Sequence, residues 1–318
     1  MRLIFFGTSP FALPALEACT RAHDVTAVVT QPDRAAGRGQ RLRPTPVKEA
    51  ARARGLSVLE PTKLRVFAAQ ARALRPDAFA VASYGRILPA ELLALPPRGA
   101  FNVHPSLLPL YRGATPLQSA LLDGATETGV TIFLMDAGMD TGEIVVQERA
   151  PIEPGLDYGT LHDRLAARGA ELLLQALALA SEGRPPTHPQ VGPATEIART
   201  LTHPLTKEDR RLRWSEPARR VVDRVRAFAP QPGAQALLAG RRLKCLQARV
   251  VEGYEAAAAA PGAVVGAISD ELHVAAGDGG VVALQRVVPQ DKGVMSGGDF
   301  ARTLLPRWCD GQEHPRFD

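Results

Sequence analysis

Two polar side chains in the first half of the chain, Asn102 and His104, lie on either side of one apolar residue. At this i, i+2 spacing in an extended strand, both side chains point to the same face. Pro105 follows and ends the strand, so the amide and the imidazole are expected at a chain turn. A carboxylate, Asp140, follows in a loop whose flanking glycines permit tight backbone turns. An amide can donate to an oxygen that becomes negative, and an imidazole and a carboxylate can move protons, which suits a reaction at a carbonyl carbon.

The chain resembles the folate-dependent formyltransferases in the residues around these three groups. The matching segments are Asn102–Pro109, Tyr111–Pro116, Glu127–Thr131 and Met135–Gly142. Within that superfamily the chain is similar to the tRNA-directed branch, which the segment Gln31–Lys48 indicates. The match covers nearly the whole chain, because it also includes Met1–Gly7, Lys207–Asp209 and Trp214–Ser215. The chain departs from the pattern at Pro105, where the tRNA enzymes often have glycine, and within Arg226–Gly233.

The resemblance implies that the formyl group of 10-formyltetrahydrofolate, a co-substrate, is transferred to the amino group of methionyl initiator tRNA, which prepares that tRNA for translation initiation. In the tetrahedral intermediate the formyl oxygen gains negative charge, and the N10 leaving group needs a proton. Asn102 would donate to this oxyanion, and His104 would act as second donor and proton shuttle. Asp140 would position the imidazole or a water and accept the proton of the amine. How His104 and Asp140 divide this work stays open.

The turn after the strand is predicted to form a wall of the folate site. Apolar side chains would pack on the pterin while backbone groups bind its edge, and the residues expected to do so are Ser106, Leu107, Leu108 and Pro109. Tyr84 and Gly85, at the end of the preceding strand, are expected to line the same pocket. The reason is that ligands collect at the carboxyl ends of strands in open α/β sheets.

Basic residues are concentrated in one short segment. The whole chain has a net charge of +5, whereas Arg34–Arg54 has seven basic residues against one acidic residue. This concentration favours a phosphate-contacting surface over an ordinary solvated face, and the predicted nucleic-acid-binding residues are Arg34, Arg38, Arg41 and Arg43. The resemblance implies that the loop Gly37–Arg41 enters the acceptor end of the tRNA. A second group of eight basic residues, within Lys207–Arg226, is expected to contact the tRNA from the C-terminal region.

Composition limits the class of protein. The apolar fraction is 45%, typical of a globular protein, and no uninterrupted apolar run reaches the length of a membrane span. Three cysteines, Cys19, Cys245 and Cys309, lie far apart without metal-ligand spacing, so neither a disulfide framework nor a metal site is expected. We therefore expect a cytoplasmic protein without a membrane partner, and a monomer.

The order of apolar runs predicts an α/β fold with two domains and a linker. In residues 1–183 strands alternate with helices, which indicates a Rossmann-like, doubly wound parallel sheet in a formyltransferase catalytic domain. Residues 184–206 are rich in proline, threonine and glycine and are predicted to be a linker. Residues 207–318 contain short β-type runs separated by glycine turns, which indicates a smaller OB-like β-barrel that would bind tRNA. The turn Gly7–Pro10 lacks the GxGxxG spacing and gives little support to a nicotinamide site.

Individual patterns place the elements that carry the three polar groups. Apolar runs predict a strand over Phe101–His104 and a strand over Thr131–Met135, the latter with a hairpin-like partner over Glu143–Ala150. An alanine- and leucine-rich stretch predicts a long amphipathic helix over Thr160–Ser181.

Two further functions fit parts of the sequence. The amine could belong to a nucleotide-linked amino sugar, since that reaction would use the same three groups; glycinamide ribonucleotide would not require the second domain. A chain with this fold could also bind RNA without catalysis. Charge reversal in the loop Gly37–Arg41 separates a tRNA substrate from a sugar substrate, and the turnover of variants at Asn102, His104 and Asp140 separates an enzyme from a binding module.

Overall fold

The chain divides into two compact units. The computed structural model describes residues 1–36, 41–256, 258–309 and 315–318. The first unit contains residues 1–116, 127–151 and 162–203, and the second contains residues 117–126, 152–161 and 204–318. Residues 184–203, predicted to belong to a linker, are therefore grouped with the first unit.

Fifteen strands and ten α-helices are present within the described residues. The strands are β1 (Arg2–Gly7), β2 (Asp24–Val29), β3 (Arg34–Ala36), β4 (Arg41–Arg43), β5 (Val58–Leu59), β6 (Ala78–Ala82), β7 (Ala100–His104), β8 (Glu127–Leu134), β9 (Ile144–Pro151), β10 (Ala234–Leu238), β11 (Arg241–Glu255), β12 (Val264–Ile268), β13 (Glu271–Ala275), β14 (Gly280–Pro289) and β15 (Met295–Ser296). The helices are α1 (Leu13–Ala22), α2 (Pro46–Ala53), α3 (Leu64–Ala73), α4 (Ala90–Leu93), α5 (Pro116–Leu122), α6 (Tyr158–Glu182), α7 (Ala194–Arg199), α8 (Ala218–Phe228), α9 (Gly297–Thr303) and α10 (Leu305–Trp308).

The first unit is built on a seven-stranded sheet in the order β5-β2-β1-β6-β7-β8-β9. The first five strands of this order are parallel, and β8 and β9 are antiparallel to their neighbours. The central strands are continuous apolar runs, because a strand buried on both faces needs apolar side chains in both directions. β6 accordingly buries all five of its residues.

An aromatic group fills one side of this sheet. The ring of Phe6 makes edge contacts with the rings of Phe67, Phe79 and Tyr84, at centroid distances of 6.3, 5.0 and 5.4 Å. Edge contacts of this kind are the favoured arrangement of buried aromatic rings. The strands β1 and β6 are thereby fixed to α3, which carries Phe67.

The strand order reverses between β1 and β6. From β1 the chain moves outward to β2 and β5, and then returns to the opposite side of β1 with β6 and β7. At such a switch point the loops diverge and leave a crevice at the carboxyl ends of the strands. The loops after β1, β2, β6 and β7 lie along this edge, and so do Asn102 and His104.

The second unit contains an antiparallel sheet in the order β10-β11-β14-β13-β12, with β15 paired to β14. An OB-like barrel is compatible with this arrangement. Asp223 on α8 is buried and forms an ion pair with Arg226, at 2.9 Å between Oδ1 and Nη2. A lone charge at this depth would be costly, so the two side chains require one another.

The predicted fold class is confirmed: a parallel-dominated α/β sheet is accompanied by a separate antiparallel sheet. The predicted hairpin corresponds to β8 and β9, and the predicted long helix to α6, with small differences at the ends. The prediction missed α2, α7, α9 and α10, which are short and bury few apolar side chains. Within the described ranges, no helix is both long and apolar enough to span a bilayer.

Candidate active site

The strand β7 brings Asn102 and His104 to the edge of the sheet. It lies between the parallel strand β6 and the antiparallel strand β8, with Asn102 opposite Phe133 and His104 opposite Thr131. His104 is only 4% exposed, whereas Asn102 is half-buried. Within the part of the chain that the structure describes, the Asn102 amide makes no hydrogen bond, so it is free to bind a substrate.

The imidazole of His104 is fixed by two neighbours. Its Nε2 lies 3.0 Å from the carbonyl oxygen of Tyr111. A carbonyl oxygen only accepts, so this contact requires a proton on Nε2 and leaves Nδ1 as the nitrogen available for proton transfer. Nδ1 lies 3.7 Å from Oδ2 of Asp140. The structure therefore brings together the imidazole and the carboxylate that the sequence singled out.

The carboxylate of Asp140 is oriented by a hydrogen bond and by the conformation of its own backbone. Oδ2 accepts a hydrogen bond of 2.9 Å from the backbone N–H of Gly113. The backbone of Asp140 has φ +56°, in the left-handed region where aspartate is one of the few side chains found repeatedly. This conformation and the Gly113 contact aim the carboxylate at His104.

The turn predicted to form the folate wall is held by hydrogen bonds to side chains of β8 and β9. Oγ1 of Thr131 donates to the Ser106 carbonyl at 2.7 Å and accepts from the Leu108 N–H at 3.2 Å, and the Leu108 carbonyl accepts from Nε2 of Gln147 at 2.9 Å. The side chain of Leu108 packs into an apolar cluster with Phe133, so it faces the core. Leu107 is half-buried and Pro109 is buried. The backbone groups of Ser106 and Leu108 are thus already used to shape the turn after His104.

Tyr84 and Gly85 lie at the switch point, but the ring of Tyr84 packs in the core against Phe6. Burial raises the pKa of the Tyr84 hydroxyl. The Tyr84 carbonyl accepts from Thr8 Oγ1 at 2.9 Å and from Gln31 Nε2 at 2.7 Å. Gly85 has φ +77°, and a Cβ there would lie 2.7 Å from Gln31 Nε2. These residues join the loops after β1, β2 and β6 at one point.

A cavity of about 680 Å³ opens beside these joined loops, and the sequence had not predicted it. It is lined by Thr8, Gln31, Pro32, Arg43, Pro44, Thr45, Pro46 and Glu49. The signal available in the sequence was the run of prolines that alternates with polar residues after β4. Of Arg34, Arg38, Arg41 and Arg43, Arg43 is the one whose side chain the structure describes, and it is exposed.

Of the other three predicted arginines, the structure describes only the backbone of Arg34 and Arg41. Arg38 lies within residues 37–40, outside the described residues. Arg34 and Arg41 belong to the paired strands β3 and β4, in which Arg34 is opposite Arg43 and Arg41 is opposite Ala36. The backbone pairing of β3 and β4 therefore brings Arg34 next to Arg43.

Lys48 is one of the seven basic residues of Arg34–Arg54, but it is not part of an exposed basic surface. It is buried, and its Nζ lies 2.6 Å from Asp33 and 2.9 Å from Glu60. The hydrogen bonds that Nζ donates to these two carboxylates, first that to Asp33 and then that to Glu60, raise the pKa of Lys48. Asp33 precedes β3 and Lys48 follows β4, so this ion pair joins the segments before β3 and after β4.

Residues 184–203 brace the loop that holds His104. Thr200 Oγ1 accepts from the Tyr111 N–H at 3.3 Å. Thr202 Oγ1 donates to the Arg112 carbonyl at 3.0 Å and accepts from the Thr115 N–H at 3.1 Å. Sequence reasoning missed these residues, because threonines in a Pro- and Gly-rich stretch give no local sign of such contacts. Across the described ranges, no three His, Cys, Asp or Glu side chains are grouped to hold a metal ion.

Comparisons with known proteins identify one family. Residues 1–177 match the model of "Formyl transferase", and residues 204–305 match that of "Formyl transferase, C-terminal domain". A methionyl-tRNA formyltransferase of Anaeromyxobacter dehalogenans (strain 2CP-C) is 47% identical over 96% of this chain and 97% of its own length. That of Pelotomaculum thermopropionicum is 43% identical, with the same coverage. In fold, the chain is similar to HypX of Aquifex aeolicus solved in complex with tetrahydrofolic acid: the TM-score is 0.64 at 18% identity, over 96% of this chain and 47% of that one.

Proposed function

Since this chain belongs to the methionyl-tRNA formyltransferase family, we propose that it transfers the formyl group of 10-formyltetrahydrofolate to the free amino group of methionyl-tRNA(fMet). The observation that carries the proposal is the pair of His104 and Asp140, 3.7 Å apart, at the end of the strand that also presents the amide of Asn102, which has no hydrogen-bond partner among the described residues. The product is an initiator tRNA ready for translation initiation. We place the enzyme in the cytoplasm, as a monomer.

The amide of Asn102 is proposed to stabilise the oxygen of the tetrahedral intermediate. When the amine attacks the formyl carbon, the C=O double bond becomes a single bond and the oxygen gains negative charge. An amide N–H that is not already bonded can donate to this oxygen without first breaking another contact. Removal of one such donor typically lowers kcat by about 10²–10³-fold.

The proton is proposed to move through Nδ1 of His104. Because Nε2–H is bonded to the Tyr111 carbonyl, Nδ1 is the basic nitrogen, and it can take the proton that the amine loses. The imidazolium that forms would face the carboxylate of Asp140, which stabilises its charge. Nδ1–H then gives the proton to N10 as the bond between N10 and the formyl carbon breaks. One proton leaves the amine and one reaches N10, so the enzyme returns to its first state.

The two substrates are proposed to enter along the carboxyl edge of the sheet. The folate would bind against the Ser106–Pro109 turn and the Tyr84–Gly85 loop, where Leu107 offers an apolar surface. The acceptor end of the tRNA would enter the cavity beside Arg43, and Arg34, Arg38 and Arg41 would contact its phosphates. We assign catalysis to residues 1–183, with 184–206 leading to a tRNA-binding domain over 207–318.

The choice of amine is tested with two substrates in one assay. The protein is incubated with 10-formyltetrahydrofolate and either methionyl-tRNA or a nucleotide-linked amino sugar, and the N-formylated product is measured. The proposal expects formyl-methionine from the tRNA and no product from the sugar. Formylation of the sugar alone would contradict it.

Arg43→Glu tests the role of the cavity. This variant should raise KM for tRNA while kcat at saturation stays near that of the wild type, because a phosphate contact is made equally in ground and transition states. The slope of the logarithm of tRNA affinity against the logarithm of salt concentration should become shallower by about one unit. Arg21→Glu is the matched control, since Arg21 is exposed on α1 and paired with Glu17. Equal tRNA kinetics for the two variants would remove Arg43 from the binding surface.

A further inference from the structure

Gln190 lies between α6 and α7, and its side-chain amide makes four hydrogen bonds. Nε2 donates to the carbonyl of Asp140 at 2.9 Å and to the carbonyl of Gly142 at 2.8 Å. Oε1 accepts from Nε and Nη2 of Arg112, at 3.0 and 2.7 Å. The amide is thus fully used, with two donated and two accepted bonds.

The chemistry of these partners requires an amide at this position. The two carbonyl oxygens only accept, and the guanidinium only donates, so the orientation of the Gln190 amide is fixed. A carboxylate of the same size would keep the contact with Arg112 and lose both contacts with the Asp140 loop. An apolar side chain would lose all four hydrogen bonds.

The contacts of Gln190 form a closed circuit around Asp140. Gln190 donates a hydrogen bond to the backbone carbonyl of Asp140, whose φ of +56° lies in the left-handed region. It also binds the side chain of Arg112, the residue before Gly113. The N–H of Gly113 in turn binds the Asp140 carboxylate at 2.9 Å. Both the backbone and the side chain of Asp140 therefore depend on groups that Gln190 holds in place.

We propose that Gln190 is a positioning residue for formyl transfer, which keeps the Asp140 carboxylate beside Nδ1 of His104. This inference rests on the function proposed above. It assigns residues 184–203 a part in the reaction: through Gln190 this segment sets Asp140, and through Thr200 it sets Tyr111, whose carbonyl sets His104. A displaced carboxylate would face the imidazolium at the wrong distance, and errors of this size are costly in catalysis.

Gln190→Glu is the informative substitution. It should lower kcat by about 10- to 100-fold, since a misplacement near 1 Å costs about that much. KM for folate and for tRNA should stay within about threefold, because Gln190 contacts neither proposed substrate site. Thr187→Ala is the matched control: Thr187 lies on the same segment, and its hydroxyl donates to the carboxylate of Glu143 at 2.7 Å and not to the Asp140 backbone. The control should retain wild-type kcat, and thermal melting of each variant checks that it is folded.

A double-mutant cycle with Asp140→Asn separates positioning from a general loss of structure. If Gln190 acts through Asp140, Gln190→Glu should lower kcat by less than about threefold once Asp140 has been replaced. The inference would be overturned if the kcat losses of the two single variants multiplied in the double variant. It would also be overturned if Gln190→Glu kept the wild-type kcat or changed only KM. None of these results would affect the proposed function. A wild-type protein that does not formylate methionyl-tRNA would instead overturn the proposed function.

Discussion

Two buried threonines on β8 should respond in opposite ways to the same substitution. Thr131 is fully buried, and its hydroxyl bonds the Ser106 carbonyl at 2.7 Å, the Leu108 N–H at 3.2 Å and the Gln147 amide at 2.8 Å. Thr128 is 2% exposed, and its hydroxyl has no hydrogen-bond partner among the described residues. Valine has nearly the shape of threonine, so replacing each threonine by valine isolates the contribution of the hydroxyl.

The expected magnitudes follow from these contacts. In Thr131→Val the Ser106 carbonyl and the Leu108 N–H lose their partner, and a buried unsatisfied polar group costs about 1–3 kcal/mol. The added methyl group returns about 0.8 kcal/mol. The net loss in the free energy of unfolding should be roughly 1–5 kcal/mol. Thr128→Val removes a buried hydroxyl without a partner and should raise the stability by about 1 kcal/mol.

Urea unfolding followed by circular dichroism measures both changes. Both tryptophans of the chain, Trp214 and Trp308, lie in the second unit, so tryptophan emission would not follow the unit that contains β8. The midpoint should fall for Thr131→Val and rise for Thr128→Val, at an unchanged m-value. Thr131→Val should also lower kcat, because the turn after His104 is loosened. Equal shifts of the two midpoints, or the reverse order, would refute this account of the hydroxyl contacts.

Two further predictions concern titration. Hydrogen bonds from Arg249, and then from Gln285 and His273, lower the pKa of Glu271 from its ordinary 4.5, so the stabilisation they give is present above pH 4.5 and is lost as the pH falls below it. The urea midpoint followed by tryptophan emission should therefore decline on the acid side, and Glu271→Gln should decline less steeply; parallel pH profiles would contradict this. Burial raises the pKa of the Cys19 and Cys245 thiols to about 12, so neither thiol should react with iodoacetamide at pH 8 until urea unfolds the chain. Mass spectrometry measures the alkylation. Alkylation of either thiol in the folded protein would contradict this prediction.

The strand end with Asn102 and His104 could be predicted because local rules decide it. The i, i+2 spacing sets a shared face, and Pro105 ends the strand whatever surrounds it. The fold class was equally accessible, since apolar runs such as Leu3–Phe6 and Ala78–Ala82 are long enough to identify buried strands. The sheet order β5-β2-β1-β6-β7 is set by long-range packing, so the run of the sequence does not give it.

Contacts between distant residues explain what the sequence did not reveal. Gln190 meets Asp140 across fifty residues, and no spacing rule connects an isolated glutamine with a loop so far away. Lys48 was counted as an exposed positive charge, whereas Asp33 and Glu60 converge on it only in the folded chain. Tyr84 follows the end of β6, but its ring turns into the core because Phe6, Phe67 and Phe79 form an apolar cluster there.

The central claim is that Asn102, His104 and Asp140 act together on one formyl carbon. The most direct measurement is kcat for formyl-methionyl-tRNA formation by the wild type and by Asn102→Ala, His104→Ala and Asp140→Ala, at saturating folate and tRNA. Each variant should be folded and should lose roughly 10²–10⁴-fold in kcat. Wild-type turnover in all three variants would contradict the account and favour a protein that binds RNA without catalysis.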